Sequence, residues 1–205
     1  MRTAIAVLSL GLAFATSVAS VGESQWTNRD YVNFYFRHYN GHVPLPHLRN
    51  EAQGALFNHL IDPGNITRIE QAPVSDGEKL RQLRIILAVL GACRAAYNVA
   101  VIVGEPLQQE LTLVQVHTLE VAAAVAKLVR LSHADEGSST AWATLVEGVI
   151  ESVGDSKLYS SAQRTLMSGA ITLHYPVIAA VLQEDERLRL DEALRLMKQA
   201  LPAAP

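Results

Sequence analysis

The stretch EKLRQLRIILAVLGACRAAYNVAVIVGEPLQQELTLVQVHTLEVAAAVAKLVRL, Glu78–Leu131, decides the fold of this 205-residue chain. Ser75 followed by Glu78 is a capping-box pair, and behind it an apolar pattern runs at helical spacing to Val103. Gly104-Glu105-Pro106 breaks the pattern, and Pro106 opens a second long segment that continues through Leu131. A break this short folds the two arms back on each other, so the stretch reads as an antiparallel helix hairpin.

So apolar a hairpin raises the question of a membrane. From Ile85 to Val103 only Arg94 and Asn98 are strongly polar, nearly enough length to span. Arginine at midspan costs several kcal/mol, and His117, Glu120 and Lys127 interrupt the second arm. The better expectation is the centre of a helical bundle with no membrane span in the mature chain. Gly91, Ala92, Ala95, Ala96 and Ala100 in one arm, with Ala122–Ala124 and Ala126 in the other, let backbones approach but supply little volume.

That volume has to come from elsewhere, and the N-terminal part of the chain carries it. Trp26, Tyr31, Phe34, Tyr35, Phe36 and Tyr39 lie within 14 residues. Thr27 and Asp30 form another capping-box pair ahead of aromatics at helical spacing. Asn40-Gly41 is also a strong hairpin signal, but Pro44 and Pro46 in the following arm could not pair along a ladder. The spacing therefore predicts a helix ending near Tyr39, laid across the hairpin. Its aromatics have two readings: bulk for an alanine-rich core, or anchors of a binding surface made by Trp26, Tyr31, Phe34, Tyr35, Tyr39 and His42, joined by Arg94 and Asn98.

Further helices are expected over Pro46–Leu60, Thr140–Val153, Ser156–His174 and Asp185–Leu201, with Pro176 bending or interrupting the chain. The last should turn Leu188, Leu194, Met197 and Leu201 to one side. His133–Ser139, HADEGSS, reads as a loop. The expected fold is all-α, a single-domain bundle of six or seven helices around the 78–131 hairpin.

Ahead of all this, Met1-Arg2-Thr3, an apolar run Ala4–Ala15 and Val18-Ala19-Ser20 resemble an export signal, with the mature chain starting at Val21 and secreted or periplasmic. Without Arg2 the chain carries 16 basic and 20 acidic side chains, a net charge of −4 before histidine, and no cationic block to bind nucleic acid. The lone Cys93 has no internal disulfide partner, and its apolar surroundings in sequence predict burial.

The candidates for chemistry are weak ones. His38, His42 and His47 suggest a metal site, with His59 or Asp62 as further ligands, but Asn40-Gly41 breaks the helical i,i+4 face that the first two would share. Arg94 and Asn98 share a face, as do Glu110, His117, Glu120 and Lys127; both read as solvated stripes, or else as a seam in which Arg94 reaches Glu120. Glu147 with Glu151 and His133–Glu136 offer carboxylates without a visible reason for a shifted pKa. Asn65-Ile66-Thr67 is a glycosylation sequon. No G-x-S-x-G, H-E-x-x-H, CxxC, phosphate loop or EF-hand loop occurs, so no cofactor is expected and an enzyme is unsupported. The leading functional expectation is a non-catalytic protein that recognises another protein, in an inhibitor, immunity-like or accessory role. The alternatives are a carrier of a small apolar ligand, held between the hairpin and the N-terminal helix, and a metal-dependent enzyme built on the three histidines.

Overall fold

A computed structural model describes residues 25–39, 44–132 and 139–201, with side chains omitted for 132 and 139–141. The expected export signal, His42 and the 133–136 carboxylates lie outside the described residues. Eight helices follow one another there: α1 Asn28–His38, α2 Glu51–Leu60, α3 Gly64–Gln71, α4 Asp76–Ile102, α5 Gln108–Ser132, α6 Ser139–Ser152, α7 Ser161–Ala179 and α8 Glu184–Ala200. No strand occurs among the described residues, and the chain is an all-α bundle.

The hairpin is α4 and α5. Ser75 Oγ accepts from Glu78 N at 3.3 Å to start α4. At its other end Gly104 takes φ +98°, a backbone that needs glycine, while Gly104 N bonds to Val101 O and Glu105 N to Ala100 O. That pair of bonds is a Schellman stop. Burial then divides the arms: α5 is enclosed by α4, α6 and α7, with Leu111, Val114, Val121, Ala122, Val125 and Ala126 wholly inaccessible. Both arms are long and apolar enough to cross a membrane, yet 78% of the apolar window of α5 lies inside the bundle against 44% of that of α4.

Helix α1 lies on α4 and supplies the missing bulk. Asp30 accepts from Thr27 N (2.7 Å) and Thr27 Oγ1 (2.6 Å), and these bonds hold its carboxyl below the usual range. Trp26 meets Tyr31 edge-on at 5.1 Å and Phe34 at 5.4 Å, and deeper in the core Phe57 meets Tyr97 edge-on at 5.8 Å.

Four local expectations need correction. Helix α2 starts at Glu51 and not at Pro46, because Asn50 Oδ1 accepts from Gln53 N at 3.1 Å and caps it there. Helix α3 occupies a stretch for which no helix is predicted: Asp62 Oδ1 accepts from Gly64 N at 2.8 Å, so Pro63-Gly64 open a helix. The penultimate helix, α7, starts after its cap Ser160 and runs through Pro176, which sits one turn from the end and leaves only the exposed Thr172 carbonyl without its partner. Helix α8 turns inward along Glu186, Leu190, Ala193 and Met197, leaving Leu188 57% exposed.

Candidate functional site

The aromatic segment splits by helical period. Tyr31, Phe34 and His38 point into the bundle, while Tyr35, Phe36 and Tyr39 line the outer side. Tyr31 is 0% and Phe34 4% exposed, and Trp26 is buried beside them, so these three act as core and are out of a partner's reach. On the outside Tyr35 stacks on Tyr39 at 4.9 Å and meets Phe36 edge-on at 5.2 Å. Phe36 and Tyr39 remain open to solvent at 57% and 43%.

Next to this outer face runs a groove of about 620 Å³. Its floor is Ala95, Ala96 and Ala100 of α4, its walls are His38 and Tyr39 on one side and Val99 and Val103 on the other, and Pro44-Leu45 closes one end. The small residues that let α1 approach α4 thus leave a channel beyond its C-terminus. Val99, Ile102 and Val103 stand 61%, 65% and 71% exposed at the same end of α4. Except for Glu105 and His38 the channel is apolar, and the imidazole is already committed: its Nδ1 lies 2.9 Å from the Pro44 carbonyl, which can only accept, so that nitrogen carries the proton.

The other histidines do not join it. His47 Nδ1 lies 3.1 Å from Glu110 Oε1, a carboxylate that also accepts from Leu48 N at 2.8 Å and is itself 1% exposed. His59 stacks against Trp26 at 6.2 Å. Among the described residues no three His, Cys, Asp or Glu side chains converge as metal ligands.

Arg94 is neither solvated nor paired with Glu120. Its Nη2 donates to Gly148 O at 2.6 Å, joining α4 to α6, and Gly148 is the residue that admits it: a Cβ there would stand 3.1 Å from Nη2. Burial pushes the guanidinium below its ordinary value, with Tyr159 and Glu151 opposing. Asn98 is half-buried on the same helix. Glu120 instead faces His117 Nδ1 at 2.7 Å, and His117 is buried with Nε2 unpartnered, so the second-arm face is an interior polar seam for part of its length. Glu147 holds Arg189 of α8 at 3.4 Å, while Glu151 is exposed, which leaves the two carboxylates in separate roles.

No protein-family model, curated protein or solved structure matches this chain. The groove beside α1 is therefore the feature with the most to say about binding. Sequence reasoning identified Tyr39 but missed Val99, Ile102 and Val103, which read as ordinary helix apolars; the signal was their position just before the Gly104 stop, where a helix runs out of neighbours. A buried polar cluster was missed as well: Ser152 Oγ donates to Gln115 Oε1 at 2.7 Å, and Gln115 Nε2 donates to Tyr159 Oη. It ties α5, α6 and the 153–160 connection together in one register.

Proposed function

We propose that this protein is a non-catalytic binding protein, exported from the cell, that receives an apolar helix or loop of a protein partner in the groove between α1 and the C-terminal end of α4. The observation that carries this reading is the pair of exposed aliphatics Val99 and Val103 lining one groove with the exposed ring of Tyr39, with Ile102 exposed at the same end of α4. Aromatic anchors bordering a small-residue channel suit the insertion of a partner's side chains, and scattered exposed apolars would not line up along one end of one helix. Inhibitor, immunity-like and accessory roles all use such a surface.

A second reading is a carrier of a small apolar ligand. It draws on the groove volume of about 620 Å³, which is of drug-sized dimension. The channel's open side argues for the protein partner, since a carrier gains by enclosing its cargo.

Site-specific photocrosslinking in the native host separates the two. With a benzoylphenylalanine at Val99 or at Val103, a protein adduct is expected that is absent when the probe is at Leu196 on α8, also exposed at 50%. A lipid-sized adduct at both groove positions replaces the partner reading with the carrier. Identical adducts at all three positions, or none at the groove, would sink both.

A further inference from the structure

A second groove, of about 410 Å³, lies between α3 and α7 with α5 as its floor. Ala123 and Ala124 form the bottom, and Ile66 and Val177 flank it from the two sides. Over this apolar bed stand Glu70 from α3, Glu120 and Lys127 from α5 and His174 from α7. Among the described residues neither Glu70 nor Lys127 is engaged in an ion pair, although carboxylate and ammonium share one small depression. Desolvation pulls His174 below its ordinary value, with Glu120 acting to raise it and Lys127 to lower it, so at neutral pH the imidazole adds no charge. The groove thus offers two anionic groups, one cationic group and an apolar middle.

We propose that this groove binds a short zwitterionic peptide of two or three apolar residues, its ammonium held by Glu120 and its terminal carboxylate by Lys127. The spacing selects the length. Glu120 and Lys127 lie on one face of α5, seven residues apart, which is about 10 Å along a helix. Two or three extended residues span about 7–11 Å, whereas the charges of a single free amino acid are too close to reach both ends. A diamine would meet Lys127 as a like charge, and a fatty acid would bring its carboxylate past two glutamates. Apolar side chains of the ligand sit over Ala123 and Ala124, which leave the space for them.

Isothermal titration of the full chain with dileucine and trileucine, their N-acetylated and C-amidated forms, free leucine and diaminohexane tests this. Saturable one-to-one binding of the zwitterionic peptides is expected, with each end-block weakening it at least tenfold. Lys127→Met, at an exposed position, should abolish the penalty for amidation while leaving that for acetylation. Thr67→Trp, which fills the groove from the exposed side of α3, should abolish binding with an unchanged melting temperature. No saturable heat from either peptide, indifference to both end-blocks, or tighter binding of free leucine or the diamine would overturn the proposal.

Discussion

The Asn65 side chain donates to the hydroxyl of Tyr31 at 3.0 Å, and both residues are fully buried. The same hydroxyl donates to Leu60 O at 3.3 Å, while Asn65 Nδ2 also reaches His59 O at 3.2 Å. One contact therefore fastens α1 to the junction of α2 and α3. It also takes up the amide of the Asn65-Ile66-Thr67 sequon, so the folded protein has no accessible acceptor there. Tyr31→Phe should cost about 1–3 kcal/mol by orphaning those groups, and Tyr31→Ala about 3–5 kcal/mol by opening a cavity as well. Tyr39→Ala, by contrast, should stay within about 0.5 kcal/mol of wild type in urea denaturation. An equal loss at both positions would mean that the aromatic segment does not divide into core and surface.

Arg94 and Gly148 should behave as a coupled pair. Arg94→Ala is expected to lose about 1–3 kcal/mol, with Arg94→Met losing less because the stem volume is kept. Gly148→Ala gains up to about 1 kcal/mol of helix propensity, but its methyl stands 3.1 Å from the guanidinium. A double-mutant cycle should show Gly148→Ala more favourable in the Arg94→Met background than in the wild type. Strict additivity would contradict the close approach.

Cys93 is buried at 2% exposure, and desolvation pushes its thiol up to about 12. A protonated, inaccessible thiol neither attacks disulfides nor accepts alkylating reagents. Iodoacetamide should label the native chain only at the rate of opening, and the same residue at full speed in denaturant. Rapid native labelling would place Cys93 at the surface.

Alkaline conditions should weaken the fold. Burial raises the phenols of Tyr31, Tyr97 and Tyr159 above their ordinary value of 10.0. Tyr97 Oη also donates to Pro46 O at 3.0 Å. Above pH 10 the unfolded chain releases protons that the native chain keeps, so the unfolded state binds fewer of them and stability falls as pH rises. Below that point the contribution is fully present. Denaturant titrations across about pH 9–12 should show the fall, shallower for Tyr97→Phe; an unchanged slope in that variant would remove Tyr97 from the account.

Much of the architecture was legible because it is written in local chemistry. Ser75 with Glu78, Thr27 with Asp30, and Gly104 ahead of Pro106 fix helix ends by bonds that span only a few residues, and such bonds follow from residue order. Helix α3 escaped notice because Pro63 and Gly64 punctuate both loops and helix starts, and only the Asp62 carboxylate on Gly64 N decides between them. The site was less legible. Arg94 lies on a stripe that looked solvated until α6 was placed against it with a glycine at the contact, and nothing near residue 94 announces residue 148. Val99 and Val103 are indistinguishable in sequence from Val101, which is buried. Which side of an all-apolar helix stays uncovered is decided by how far its neighbours extend.

The hairpin of α4 and α5 also has a consequence in time. Its arms are joined by five residues, 103–107, so their contacts close a short loop and form early. Helix α1 is synthesised before either arm, yet the surface that covers Tyr31 and Phe34 belongs to elements made later. Until α4 arrives, the most aromatic segment of the chain has only the α2–α3 junction to touch and lacks the helix it lies on. That interval is when a nascent chain is most open to holdase binding or aggregation, and it ends as soon as the hairpin exists.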